Sequence, residues 1–182
     1  MKIILATGNN RKLGEARLAL DEFGIEVEQI KLDINEIQHQ DAIEISKHKA
    51  SEAYKKAGRP VTITDTTWKI PSLNGFPGGY MKDVSRWFEP EDFISLIKSK
   101  KDKRICFTET IIYTDDKITK IFSKEYWGEI SDNSRGVGES IEQVAIFDGY
   151  TIAERHNKGK FSHNAKDFLW YEFAGWFKGY NN

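Results

Sequence analysis

The sequence has few cysteines, no long apolar run and no excess of positive charge. It contains one cysteine in 182 residues, so neither an internal disulfide nor a cysteine-based zinc site can form. No apolar run approaches the roughly 18 residues that a membrane-spanning helix needs, and the apolar start of MKIILATGNN is too short for a signal-peptide core. The net charge of −1 lacks the positive excess of a dedicated nucleic-acid binder. These absences predict a cytoplasmic protein that binds neither membranes nor nucleic acid.

What the sequence does contain is the composition of an ordinary globular domain. It is 39% apolar and 30% charged. A length of 182 residues suffices for one domain with a sizeable core and is short for two. We find no repeat, low-complexity tract or linker, and therefore predict a single domain over residues 1–182. Cys106, inside a run of alternating apolar and polar residues, is predicted to be a packing residue.

The spacing of apolar residues predicts an α/β domain. Over the first 65 residues the order is strand, helix, strand, helix, strand. The later part of the chain predicts two paired strands and two more helices, separated by loops. The predicted strands are Lys2–Ala6, Val27–Leu32, Val61–Asp65, Ile105–Tyr113 and Lys117–Trp127; the predicted helices are one carrying Leu13, Ala16, Leu20 and Phe23 and ending at Gly24, then Asp41–Ala57, Pro90–Ile97 and Ser162–Phe177; the predicted loops are Pro71–Tyr80 and Asp132–Gly138.

The turn between the first strand and the first helix is a candidate phosphate site. It reads Thr7-Gly8-Asn9-Asn10-Arg11-Lys12. A glycine allows a tight turn, and a helix N-terminus presents N–H groups and the positive end of the helix dipole to an anion. Lys12 lies in the first helical turn, from which its ammonium can reach a phosphate. The pattern is not a Walker P-loop, and an ordinary capped helix start with a surface lysine is the alternative.

Two acidic residues follow strands that are predicted to lie parallel to the first. Glu36 comes just after the second strand, and Asp65 ends the third. Parallel strands place their carboxyl ends at one edge of a sheet, so both carboxylates are expected beside the turn at Thr7–Lys12. Mg²⁺ takes carboxylate and phosphate oxygens as ligands, and a carboxylate near the phosphorus can orient the attacking water. Each acid taken alone also fits a solvated loop residue.

Two further sets of residues have weaker claims to a functional role. Lys49, on the helix after Glu36, can neutralise phosphate charge, although a surface lysine gives the same pattern. His39 and His48 lack a second histidine with which to bind a metal, so we predict that they are structural or exposed. The basic run Lys98–Arg104 is predicted to be a solvated connection.

Several short motifs resemble those of the inosine triphosphate pyrophosphatase family. Each is weak alone, but they occur in the family's order from residue 3 to about residue 168. The opening of the related Maf family, A-S-x-S-P-R-R, does not fit. The matching residues are Thr7-Gly8-Asn9 with Lys12 and Glu15, for T/S-G-N-x-x-K-x-x-E; Glu36-Ile37-Gln38, for E-x-Q; Lys49-Ala50; Asp65-Thr66-Thr67-Trp68, for D-[ST]-x-L; Leu73–Tyr80, for L-x-G-x-P-G-x-Y; Gly128-Glu129-Ile130, for G-x-I; Arg135-Gly136; Ala153-Glu154; and Lys158 with Ser162-His163.

The resemblance implies an elongated mixed sheet with flanking helices, in two lobes around a central cleft, and a homodimer. It implies a Mg²⁺-dependent enzyme that hydrolyses nucleoside triphosphates to monophosphate and pyrophosphate, and so removes deaminated purine nucleotides such as ITP, dITP and XTP. Lys12 and Asp65 are the implied catalytic residues, and Glu36 and Asp65 the implied metal ligands. The substrate-binding residues that it implies are Thr7, Gly8, Asn9, Lys12, Lys49, Lys158, Ser162, His163 and Asn164, with Lys158 and His163 beside the base.

The sequence departs from the family pattern in three places, one near the metal ligands and two where the base is recognised. Thr64 stands where the family has an additional acid before Asp65. The family's F-G-[YW]-D-P-x-F segment, which stacks on the base and helps to recognise it, is replaced by Gly138–Phe147. The arginine of S-H-R is replaced by Asn164. Two of the changes fall at the base end, so we hypothesise altered or relaxed base choice, with the amides of Gln143 and Asn164 suited to adenine.

Two alternatives to an active enzyme stay open. Because Thr64 reduces the negative charge near the metal, a catalytically weak relative could bind nucleotides as a sensor or regulator. An interaction protein could instead use the basic run Lys98–Arg104 to contact nucleic acid. Nucleotide binding without turnover would indicate the first, and salt-sensitive retention on DNA or RNA the second.

Overall fold

The computed structural model describes residues 1–157 and 169–181, in which strands and helices alternate. No helix of this part of the chain is long and apolar enough to cross a membrane. The strands are β1 (Lys2–Ala6), β2 (Glu26–Ile30), β3 (Val61–Ile70), β4 (Phe76–Gly78), β5 (Arg104–Thr114), β6 (Thr119–Ile130), β7 (Ala145–Phe147) and β8 (Tyr150–Thr151); the helices are α1 (Asn10–Asp21), α2 (Ala42–Ala57), α3 (Met81–Trp87), α4 (Pro90–Ile97), α5 (Ile152–Asn157) and α6 (Leu169–Tyr180), with a 3-10 turn at Pro71–Leu73.

The strands form a mixed sheet flanked by helices. Hydrogen-bonded neighbours follow the order β2-β1-β3-β5-β6-β7-β8, and β4 pairs with β3 outside that path. Strand β1 is parallel to β2 and β3, whereas the β3–β4, β6–β7 and β7–β8 pairs are antiparallel. The predicted α/β class with a mixed sheet is confirmed.

The described residues form two compact units. Unit 1 comprises residues 1–66, 109–124 and 169–181, and unit 2 comprises residues 67–108 and 125–157. Strands β3, β5 and β6 contribute residues to both units. Each unit has a hydrophobic core of its own.

Unit 1 has helices on both faces of its strands. Successive side chains of a strand point to opposite faces, and β1 is apolar on both. Ile3 and Leu5 pack with residues of α1 and α6, whereas Ile4 and Ala6 pack with residues of α2. Burial on both faces is typical of a parallel strand. Strand β1 ends at Ala6, where the turn to α1 begins.

Unit 2 packs its strands against α3 and α4. Trp68 of β3 and Ile130 of β6 share a cluster with Val84 of α3 and Phe93 of α4. Phe93 is fully buried, which stabilises the fold by about 2–3 kcal/mol. Cys106 is fully buried on β5, which confirms it as a packing residue.

Helix α2 of unit 1 begins and ends as its sequence dictates. Asp41 is the N-cap of α2, because its Oδ1 accepts a hydrogen bond from the Ile43 N–H at 2.8 Å. Gly58 ends α2 with a φ of 63°, in the left-handed region that glycine occupies without strain. The predicted span Asp41–Ala57 is therefore confirmed, with Asp41 as the cap.

Several predicted boundaries are wrong. Strand β3 does not end at Asp65 but continues to Ile70, and the predicted loop Pro71–Tyr80 contains a 3-10 turn and β4. Helix α3 was not predicted because it spans only seven residues, too few for an apolar repeat to distinguish a helix. The short elements β7, β8 and α5 were also missed. The last predicted helix agrees with α6 in its C-terminal part, and its start at Ser162 lies outside the described residues.

Candidate active site

The turn that follows β1 is closed by its own side chains. The Thr7 hydroxyl oxygen accepts a hydrogen bond from the Asn9 N–H at 3.1 Å. Asn9 is the N-cap of α1, and its Oδ1 accepts from the N–H groups of Arg11 and Lys12 at 2.9 and 3.3 Å. The expectation that free N–H groups of this helix bind an anion is therefore wrong for these two amides, because the cap already satisfies them.

Gly8 leaves the turn open on one side. Its φ is not in the left-handed region, and an added Cβ would meet no described atom within 4 Å. The turn itself therefore does not require a glycine, contrary to expectation. The missing side chain instead leaves room for a ligand to approach the backbone.

Lys12 reaches from α1 to β3, as the parallel strand order predicts. Its Nζ donates to the Thr64 carbonyl at 3.2 Å and lies 3.6 Å from Oδ1 of Asp65. Burial lowers the pKa of Lys12 below its usual value, the nearby cations Lys49 and Arg11 lower it further, and the charge of Asp65 only partly compensates. Additional negative charge beside this ammonium would offset the cost of its burial.

Asp65 lies just past the end of β1 although it is inside β3. The pairing of Leu5 with Thr62 places it beyond Ala6, the last residue of β1. Its two carboxylate oxygens have different donors. Oδ1 accepts from the Thr66 N–H at 3.0 Å, and Oδ2 accepts from the Ser46 hydroxyl at 3.4 Å. With 20% of its side chain exposed, Asp65 is held in position and can still be reached by a ligand.

The second predicted acid, Glu36, is paired with the second predicted lysine. Lys49 Nζ of α2 donates to Glu36 Oε1 at 2.7 Å. Burial acts to lower the pKa of Lys49, but the charges of Asp65 and Glu36 outweigh it, so the pKa is raised. The charges of both acids thus act on Lys49, and Lys49 in turn helps to lower the pKa of Lys12. The structure thus brings the two predicted acids and the two predicted lysines into unit 1.

The described residues offer part of the ligands of a metal ion such as Mg²⁺ rather than a complete set. Among the described residues, no three His, Cys, Asp or Glu side chains gather closely enough to hold a metal ion. Glu36 and Asp65 provide two carboxylates, the hard oxygen ligands that Mg²⁺ combines with water and substrate phosphates. The next residue that the family pattern would make acidic, Thr64, is neutral and buried.

Comparison with known proteins places this site in a family. The family model described as the Ham1 family matches residues 3–168. The chain belongs to the Ham1 family. The family resemblance drawn from the short motifs is confirmed.

Relatives of this Ham1 family protein match it over nearly its whole length. The dITP/XTP pyrophosphatase of Methanopyrus kandleri is 33% identical, with 98% of this chain and 97% of the relative covered. The dITP/XTP pyrophosphatase of Pyrococcus horikoshii is 35% identical, with 91% and 92% covered. The solved structure of a HAM1 protein from Coxiella burnetii shares the fold at a TM-score of 0.81 and 21% identity, covering 98% of this chain and 99% of its own.

Two Ham1 family motifs of unit 2 pack against each other. Gly136 has a φ of 84°, and an added Cβ would lie 2.6 Å from the Glu154 backbone nitrogen. Arg135 Nε lies 3.7 Å from Glu154 Oε2, and the Thr151 hydroxyl donates to the Arg135 carbonyl at 2.8 Å. In the described residues the R-G and A-E motifs therefore hold the loop before β7 against α5.

The base end of the predicted site is only partly described. The side-chain amide of Gln143 donates to the Gly138 carbonyl at 3.0 Å, so this donor is used within its own loop rather than directed at a base. Phe147, the one residue kept from the family's F-G-[YW]-D-P-x-F segment, packs edge-on against Phe107 and Trp68. Four predicted substrate-binding residues lie outside the described residues: Lys158, Ser162, His163 and Asn164.

Three groups at the site were not predicted from the sequence. They are the Ser46 hydroxyl, the Thr64 carbonyl and the Thr66 N–H. The two backbone groups leave no trace in a sequence. Ser46 does, because it is a polar residue three positions before Lys49 on a helix face that otherwise buries Ile45, Ala50 and Ala53.

Proposed function

We propose that this Ham1 family protein is a Mg²⁺-dependent hydrolase that converts noncanonical purine nucleoside triphosphates, dITP and XTP among them, into monophosphate and pyrophosphate. One observation carries the proposal. The Lys12–Asp65 pair lies at the edge of the sheet where the turn at Gly8 leaves β1, and the ammonium of Lys49, paired with Glu36, is also influenced by the charge of Asp65. The names of the relatives support the choice of nucleotide and the pyrophosphate product.

Glu36 and Asp65 are the residues that would hold the metal. When bound, Mg²⁺ neutralises phosphate charge and makes the phosphorus more electrophilic. The two carboxylates and two ammoniums have a combined charge of zero in the substrate-free protein. If Glu36 and Asp65 held the metal, it would share their negative charge, and Lys12 and Lys49 would become available to phosphate oxygens. Metal and polyphosphate are therefore expected to bind together rather than separately.

Asp65 is the residue proposed to orient the attacking water. It accepts the water's proton while the water oxygen bonds to the α-phosphorus. The bond from the α-phosphorus to the bridging oxygen breaks, and pyrophosphate leaves with that oxygen. Lys12 then lies on the side of the site where it can stabilise the growing negative charge, since its Nζ is already beside Asp65.

We further propose that base discrimination is relaxed. The arginine of S-H-R is replaced by Asn164, and the acidic F-G-[YW]-D-P-x-F segment by Gly138–Phe147. A site that hydrogen-bonds a particular group of the base rejects analogues, because its own polar atoms would stay unpaired. These replacements remove two polar side chains of that kind, an arginine and an aspartate. The bond from Gln143 to Gly138 argues against Gln143 as a new reader of adenine.

A panel of nucleotides tests the proposed reaction. Wild-type protein with Mg²⁺ is incubated with dITP, XTP, dUTP, dATP and dGTP, and products are identified by phosphorus NMR. We expect dITP and XTP to give pyrophosphate and monophosphate, and EDTA to stop the reaction. Release of orthophosphate, or nucleotide binding without turnover, would contradict the proposed reaction. A sharp preference for dITP over dATP and dGTP would contradict only the relaxed base choice.

A further inference from the structure

Ser46 has a placement that packing alone does not explain. It lies in the middle of α2, only 1% exposed, on the face that packs against the sheet. A serine inside a helix commonly bonds back to the carbonyl of the preceding turn. Here the hydroxyl donates across to Oδ2 of Asp65 on β3, at 3.4 Å. A buried hydroxyl is therefore directed at the acid that is proposed to orient the water.

The donors around Asp65 divide between its two oxygens. Oδ1 has the Thr66 N–H at 3.0 Å and the Lys12 ammonium at 3.6 Å, whereas Oδ2 has Ser46. A carboxylate can rotate about the bond that joins it to its side chain when only one oxygen is held. A donor on each oxygen fixes the carboxylate plane, because rotation would break one of the bonds.

Lys12 cannot substitute for Ser46 in this role during the reaction. Its ammonium is expected to turn towards phosphate when substrate binds, which removes one donor from Oδ1. Ser46 and Thr66 are uncharged and have no reason to move with it. After substrate binds, they are the two donors from the described part of the chain that keep Asp65 in place.

We propose that Ser46 is a positioning residue that orients the Asp65 carboxylate towards the attacking water; this inference rests on the proposed function. Ser46 itself touches neither nucleotide nor water in this role. Its removal should therefore affect the chemical step and spare substrate binding. The position also explains why a hydroxyl is present on an otherwise apolar helix face.

The test compares three variants of α2 in steady-state hydrolysis of dITP. We expect Ser46→Ala to lower kcat by roughly tenfold, less than the about hundredfold that a misplacement of about 1 Å can cost, with KM nearly unchanged. Ser46→Thr keeps a hydroxyl and should restore most of the lost kcat. Ser51→Ala, the same change at an exposed position of α2, should leave kcat unaltered.

Thermal unfolding of the same variants separates positioning from folding. Alanine is the better helix former, so Ser46→Ala should melt at or above the wild-type temperature while turning over more slowly. Equal kcat for Ser46→Ala and wild type, or a loss that Ser46→Thr does not restore, would overturn the role of Ser46 and leave the proposed function intact. Wild-type protein without pyrophosphate release would overturn both.

Discussion

Replacement of Asp65 by asparagine should nearly abolish pyrophosphate release. Asparagine has the same shape, and its carbonyl oxygen can still accept from the Thr66 N–H. It cannot take a proton from water and is a poor ligand for Mg²⁺. Loss of a general base alone costs about 10²–10⁴-fold, and loss of a metal ligand adds to it. We therefore expect kcat for dITP to fall by at least ~10³-fold, measured as pyrophosphate formed in a coupled assay.

Asp116→Asn is the matched control for this variant. Asp116 is exposed in the turn between β5 and β6 and belongs to the same unit as Asp65. The same change of charge there should leave kcat unaltered. If Asp65→Asn keeps more than about a tenth of the wild-type rate, less than the smallest effect expected of a general base, Asp65 is not the group that orients the water.

Replacement of Lys12 by glutamine should weaken the binding and turnover of dITP and strengthen the binding of Mn²⁺. The side chain of Lys12 is 16% exposed, and burial already disfavours its charge, so a bound triphosphate gains strongly from it. We expect kcat/KM for dITP to fall by about 10²–10³-fold, as when one donor to a developing anion is removed. Mn²⁺ should bind the nucleotide-free variant more tightly than wild type, because Asp65 has lost the cation that competes with the metal.

Arg17→Gln provides the control for Lys12→Gln. Arg17 is an exposed cation on the same helix, α1, and lies outside the turn at Thr7–Lys12. Its loss removes the same charge without removing a group from the Lys12–Asp65 pair. The affinities for nucleotide and for Mn²⁺ should therefore stay near their wild-type values. Isothermal titration with Mn²⁺ and with an unhydrolysable nucleotide measures both. A loss of both affinities in Lys12→Gln would indicate a folding defect and contradict the proposed competition.

The meeting of Lys12 with Asp65 could be predicted because it follows from strand order. Once β1, β2 and β3 are parallel, residues near the carboxyl ends of these strands must lie at one edge of the sheet. Lys12 and Asp65 are far apart in sequence, and the structure brings Lys12 Nζ within 3.6 Å of Asp65 Oδ1. The family assignment could be predicted for a similar reason, since the short motifs keep their order along the chain.

What could not be predicted depends on contacts that no local pattern encodes. Strand β3 continues past Asp65 because residues 68–70 pair with β4, and because Trp68 and Ile70 pack in the core of unit 2. Nothing in the sequence of β3 marks the division between the units. The sequence left the role of Asn9 open between a phosphate site and a capped helix start, because its amide suits both equally well. Ser46 was missed because a serine on an apolar helix face is more often interpreted as a small packing residue.

The most direct test of the central claim is a crystal structure of wild-type protein with Mn²⁺ and dITP carrying an imido bridge between its α- and β-phosphorus atoms. The account predicts an anomalous peak about 2.1 Å from carboxylate oxygens of both Glu36 and Asp65. It also predicts Lys12 and Lys49 released from these acids, each with its Nζ about 3 Å from a phosphate oxygen. A metal held by phosphates alone, with the Lys49–Glu36 pair still closed, would contradict it.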